Sequence, residues 1–169
     1  MQLYDLICLI FLGTVLLVAA YQDLKNTCKT KNQYTGDEVV CGKVSNRLWV
    51  YSFPVGLVLF ALRLFMYPQL TVLIAGNLVF VLIVSLLLFN FGGWGGADVK
   101  AAWLIGLTLP LMPSWGGLFP LPSAFFVLFI SCGLAVAFGI LKKSDVPFSK
   151  RTVRFLPFIF AGVLLTIFL

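Results

Sequence analysis

A chain of 169 residues that is 61% hydrophobic and 11% charged, with a mean hydropathy of +1.05, is too apolar for a water-soluble domain. Its net charge of +6 comes with no solvated basic segment of domain size, which excludes a nucleic-acid-binding reading and points to membrane topology. With no histidine in the chain, Ser-His and Cys-His hydrolysis and the HExxH zinc site are excluded as well.

Six apolar runs follow in chain order, at about 3–20, 48–66, 70–91, 99–112, 124–141 and 153–169. Each except the fourth approaches the roughly 20 residues a helix needs to cross a bilayer. None alternates in polarity as a membrane strand does. The expectation is an all-α membrane protein, one domain over residues 1–169: a bundle of six transmembrane helices with a short cytoplasmic loop after the first. The first run has neither a positive n-region nor a small-residue cleavage site, and reads as a retained span.

The loop from Tyr21 to Arg47 is the only sizeable polar segment, with a bend expected at Gly36-Asp37. It carries Cys28 and Cys41, whereas Cys8 and Cys132 lie in apolar runs where cysteine acts as a small hydrophobe. A reducing compartment disfavours a disulfide in that loop. Two thiolates are half of a tetrahedral zinc site, and without histidine the other half has no source; no metal is expected. Tyr21, Trp49, Tyr51, Tyr67, Trp94 and Trp115 fall where helix ends should meet the interface.

Charge orients the bundle. With the N-terminus outside, Lys25, Lys29, Lys31, Lys43, Arg47, Lys100, Lys142, Lys143, Lys150, Arg151 and Arg154 all face the cytoplasm, and only Arg63 lies toward the far side. The fourth run is the anomaly. A helix from Asp98 to Trp115 would rise about 25 Å, short of the roughly 30 Å hydrocarbon core, and Pro110 and Pro113 shorten it further.

Acid chemistry must come from Asp5, Asp23, Asp37, Glu38, Asp98 or Asp145. Asp145 sits among cytoplasmic lysines, Asp5 at the outer end of the first run, and Asp37 and Glu38 in the polar loop. Asp23 and Asp98 remain, both at the cytoplasmic ends of spans. Acids so placed are costly and mark functional sites. Two carboxylates at one depth can share a proton, one activating water while the other protonates a scissile carbonyl. The plain alternative is a helix-end acid balanced by Lys25 for Asp23, and a charge favourable to the helix dipole for Asp98. Gly92, Gly93, Gly95 and Gly96 give backbone freedom and room for a substrate strand beside Asp98, or simply tight packing.

Gly95-Gly96-Ala97-Asp98-Val99-Lys100 resembles the GxGDxK motif of the type IV prepilin peptidases, in the GGADxK form of archaeal preflagellin and prepilin peptidases. Asp23 resembles that family's first aspartate, which closes the first helix. Lys43-Val44-Ser45-Asn46-Arg47-Leu48-Trp49 resembles the lead-in to the second helix, displaced by an insertion containing Cys28 and Cys41. The strict motif has glycine where Ala97 stands. Bifunctional bacterial members carry four cysteines in a longer loop, so two in a short loop imply a peptidase without methyltransferase.

The resemblance implies a membrane aspartic endopeptidase that removes the short basic leader of type IV pilin-like or archaellin precursors at the cytoplasmic face. Asp23 and Asp98 would be catalytic, and Gly95, Gly96 and Ala97 motif backbone beside the substrate. No cofactor is implied. Asp37 and Glu38 are candidates to attract the basic leader, against their plainer reading as solvated loop acids. Lys100, two residues past Asp98 and off its helix face, is expected to snorkel to lipid phosphate. The partners implied are the precursor and the bilayer. The rivals are another membrane aspartic peptidase of the lipoprotein signal peptidase kind, a small transporter or channel whose Asp23 and Asp98 bind cations, and a non-catalytic scaffold.

Overall fold

The structure, a computed structural model, describes residues 3–31, 38–91, 94–110, 123–141 and 154–168. Its helices are α1 (Leu3–Lys25), α2 (Asn46–Met66), α3 (Thr71–Asn90), α4 (Gly96–Thr108), α5 (Ser123–Leu141) and α6 (Leu156–Phe168). A single 3-10 turn, Pro68–Leu70, leads into α3. Leu3–Lys25, Asn46–Met66 and Pro68–Asn90 are each long and apolar enough to cross a membrane. Their outward faces are apolar too: Leu3, Ile10, Val50, Phe65, Val72 and Ile83 are all exposed. That surface suits lipid, and the protein is a multi-pass membrane protein.

The sequence boundaries shift in two informative places. α1 runs past Ala20 to Lys25, so Asp23 lies inside its last turn. α4 stops at Thr108, because Pro110 disfavours helical angles at Leu109, which is extended at φ −66° and ψ 123°. At 13 residues α4 rises only about 20 Å. Trp115, Gly92, Gly93, Asp37 and Asp145 lie outside the described residues.

α4 is the centre of the bundle. Val99, Ala101, Ala102, Leu104, Ile105, Gly106, Leu107 and Thr108 are buried all round it, with α1, α2, α3 and α6 packed against it. α5 completes the bundle against α6 and α3. Close approach depends on small residues where helices cross. A Cβ on Gly106 would sit 3.1 Å from Leu78 Cδ1 on α3, and one on Gly56 would sit 2.9 Å from Leu104 Cδ1 on α4. Trp103 joins three helices: its Nε1 donates to Ser85 Oγ on α3 at 2.8 Å, and its ring meets Phe53 of α2 edge-on at 6.5 Å. Trp103→Phe keeps the ring contact and loses the hydrogen bond. It should cost about 1 kcal/mol, read as a small fall in melting temperature in detergent; an unchanged melting temperature would show that the bond contributes nothing.

Helix ends in an apolar medium need partners that water supplies elsewhere. Here side chains from other helices provide them. Arg63 of α2, 3% exposed, donates from Nη1 to the Leu109 carbonyl at the end of α4 at 2.6 Å. Asn77 of α3 accepts the Ala124 N–H at the start of α5 at 3.3 Å. Arg154 donates from Nη1 to the carbonyls of Asp23 and Leu24 at the end of α1, at 2.9 and 2.7 Å. Both arginines place a cation at a helix C-terminus, where the dipole favours it.

Two aromatic residues expected at the interface are core residues. Trp49 is 3% exposed and Trp94 7%. The reason is packing: Trp49 lies against Phe53, and Trp94 against Phe155, with ring centroids 6.4 and 5.1 Å apart. Tyr21 and Tyr51 are exposed, as an interfacial belt requires.

The loop after α1 contains a feature that polarity and turn signals do not reveal. β1 (Thr27–Lys31) and β2 (Glu38–Gly42) form an antiparallel hairpin in which Cys28 pairs with Cys41 across the strands. Its two ends are tied together where it leaves the bundle. Lys43 N–H donates to Asn26 O at 2.9 Å, and Ser45 N–H donates to the Gln22 side chain, also at 2.9 Å. The insertion therefore leaves and returns at one point, and α2 starts beside the end of α1.

Candidate active site

α1 is apolar over most of its length, yet only one face is buried: Cys8, Leu9, Leu12, Val15, Leu16, Ala19, Ala20 and Asp23. The steps of three and four residues trace a single inward stripe. Asp23 is its last member, four residues beyond Ala19, so the helix aims its carboxyl into the bundle; the residue is 6% exposed. Its Oδ2 has no hydrogen-bond partner among the described residues. The Arg154 guanidinium acts on the carboxylate electrostatically while binding the Asp23 backbone carbonyl.

Asp98 is held differently. Gly95 is the N-cap of α4, and its N–H donates to Asp98 Oδ2 at 2.9 Å, while Asp98 N–H returns to Gly95 O at 3.1 Å. This is the backbone half of a capping box, and it fixes the carboxyl at the positive end of the helix dipole. Asp98 remains partly exposed. The charge of Asp23 acts on Asp98 electrostatically, after the larger effects of burial and of the Gly95 hydrogen bond.

Gly95 and Gly96 do not draw on the conformational freedom of glycine. Gly95 has φ −85°, which any residue adopts, and a Cβ there would lie an ordinary 3.4 Å from Asp98 Oδ2. A Cβ on Gly96 would meet nothing within 4 Å among the described residues. Neither glycine is required by its own backbone conformation, and the described residues leave the space in front of Gly96 clear. Ala97 is partly buried against the core.

Lys100 does not reach toward lipid. Its Nζ donates to Asn46 Oδ1 at 2.9 Å, tying the start of α4 to the start of α2, because the tethered hairpin brings Asn46 within reach. Of the two loop acids proposed for the leader, Asp37 lies outside the described residues and Glu38 is described only as backbone in β2, paired with Lys31. Among the described residues no group of three or more His, Cys, Asp or Glu side chains is arranged to hold a metal ion.

Arg154, Phe155 and the buried setting of Trp94 are absent from any sequence motif. Asking which side chain satisfies the final carbonyls of α1 would lead to Arg154, but only once α6 is known to enter the bundle there.

The model of the type IV leader peptidase family matches residues 41–140, more than half of the chain. The matched stretch contains the glycine bend and Asp98; Asp23 and Arg154 fall outside it. No curated protein and no solved structure matches the chain.

Proposed function

The chain belongs to the type IV leader peptidase family, and on that premise we propose that it is a membrane aspartic endopeptidase using Asp23 and Asp98 as its catalytic pair. Its substrates are the precursors of type IV pilin-like or archaellin subunits, cut after their short basic leader. The observation that carries this reading is the placement of two acids on packed helices, Asp98 capped at the start of α4 and Asp23 buried at the end of α1 with an Oδ2 that has no hydrogen-bond partner among the described residues. An arrangement that costly is retained for chemistry more often than for stability.

The pair holds one proton between its two carboxyls. The ionised member takes a proton from water as the water oxygen attacks the scissile carbonyl carbon, and the protonated member donates to the carbonyl oxygen. Collapse of the tetrahedral diol breaks the carbon–nitrogen bond. The leaving amine takes the proton gained from water, the other acid recovers its own, and the pair ends as it began. No covalent acyl-enzyme forms.

The positive-inside pattern supports a site at the cytoplasmic face, with the N-terminus outside. Lys25, Lys43, Arg47, Lys100 and Arg154 stand at the helix ends that carry Asp23 and Asp98 or in the segments adjoining them, in keeping with that orientation. The space that the described residues leave clear at Gly96 is the approach for an extended substrate segment. Gly96→Leu should therefore fold as well as the parent, since leucine is the better helix former, while raising the KM for the precursor. An unchanged KM would move the substrate path elsewhere.

The test is co-expression with a tagged prepilin or prearchaellin, following loss of the leader as a mobility shift. Cleavage by the wild-type chain supports the reading. Failure to cut any such precursor, together with ion flux in reconstituted vesicles, would replace it with cation transport through the same acids.

A further inference from the structure

We infer that Arg154 and Phe155, the two residues entering α6, form one clip that sets the separation of the Asp23 and Asp98 carboxyls, an inference that rests on the catalytic reading of that pair. Arg154 grips the end of α1: a single nitrogen, Nη1, donates to the carbonyls of both Asp23 and Leu24, at 2.9 and 2.7 Å. Phe155 grips the approach to α4. Its ring lies 5.1 Å from that of Trp94, tilted by 39°, and Trp94 is buried. The next residue, Gly95, carries the N–H that holds Asp98 Oδ2. One end of the clip is thus the Asp23 backbone itself, and the other reaches Asp98 through Trp94 and Gly95.

The clip is anchored in its own helix. Phe155 O accepts the N–H groups of Phe158 and Ile159 at 2.9 and 3.0 Å, so the first turn of α6 fixes the peptide that follows Phe155 and with it the backbone from which the Phe155 ring projects. α6 in turn packs along α1, α4 and α5.

Asp23 depends on such a clip because of how little else holds its side chain. With no hydrogen-bond partner for Oδ2 among the described residues, the carboxyl takes its position from its backbone and from the helices around it. Asp98, in contrast, is fixed by its own cap. A shift of α1 against α4 changes the distance between them, and residues 154 and 155 span that gap. Displacement of a catalytic group by about 1 Å can cost on the order of 100-fold in rate. Arg154 and Phe155 are therefore positioning residues for the reaction, and both lie outside the stretch matched by the family.

The experiment uses the full chain in membranes with two readouts. The first is the steady-state rate of leader removal for Arg154→Gln, Arg154→Lys and Phe155→Leu. Arg154→Gln and Phe155→Leu should lower kcat by about 10- to 100-fold with little change in KM. Arg154→Lys, whose ammonium can replace the single nitrogen that makes both bonds, should recover most of the rate. The second readout is geometric and needs no activity. Asp23→Cys and Asp98→Cys are combined in a chain whose Cys8, Cys28, Cys41 and Cys132 are replaced by serine, and bridged with a short bifunctional thiol reagent. Arg154→Gln or Phe155→Leu in that background should lose most of the cross-linked product.

Unchanged cross-linking overturns the clip, whether or not kcat falls. Loss of cross-linking in a chain that cuts no precursor upholds the clip and overturns the peptidase reading, so the two ideas fail separately.

Discussion

Asp98→Asn should fold and insert as the wild-type chain does and lose leader removal almost completely, by about 10²- to 10⁴-fold. The substitution preserves volume, and the carboxamide oxygen it introduces can still accept the Gly95 N–H that Asp98 Oδ2 accepts at 2.9 Å. The cap survives and only the acid is removed. Asp23→Asn should lose activity to a similar degree, because a water activated without a partner to protonate the carbonyl does not react at a useful rate. The double variant should be no worse than either single one, since groups that act as a unit are not additive. Mobility shift of a tagged precursor, with membrane levels checked by immunoblot, reads all three. Normal processing by either single variant would end the dyad reading. Losses that multiplied in the double variant would mean that the two acids act in separate steps.

The second large effect concerns stability. Gly162→Ala should weaken the contact between α5 and α6, because a Cβ there would collide with Ser131 Oγ and lie 2.9 Å from the Val127 carbonyl oxygen. Ser131 cannot move aside freely, since its hydroxyl donates to that same carbonyl at 2.6 Å. Overpacking of this kind costs about 1–3 kcal/mol, a fall of roughly 2–12 °C in melting temperature for a chain of this size. Gly133→Ala, on α5, is the control: nothing among the described residues lies within 4 Å of its Cβ, and alanine is the better helix former. Equal melting temperatures for the two variants would show that the α5–α6 crossing is not close-packed at Gly162. Because α6 carries the Arg154–Phe155 entry, Gly162→Ala should also slow leader removal, though less than either aspartate variant.

Hydropathy and charge made the membrane bundle legible, since runs of apolar residues have no other stable use at that length. The glycine bend made Asp98 legible for a related reason: an acid at the start of an apolar helix stands out against everything around it. The inward direction of Asp23 was not legible. In an all-apolar helix the buried and lipid-facing residues share one composition, so the stripe from Cys8 to Asp23 has no polar face to reveal it. The same lack of contrast put Trp49 and Trp94 at the interface when both are core residues. The hairpin was hidden by its composition, for Thr27–Lys31 is polar on both faces and shows no alternation between apolar and polar residues.

By itself, then, the sequence determined the class of protein, the face on which its charges gather and the two acids worth considering, because each follows from the cost of placing a residue type in lipid or water. Tertiary structure alone decided how those acids are held. Arg154 reaches Asp23 across 131 residues of chain, Lys100 reaches Asn46 across 54, and Arg63 closes α4 from another helix. Contacts of that kind depend on which helix ends meet in space, and no local pattern of residues encodes that meeting.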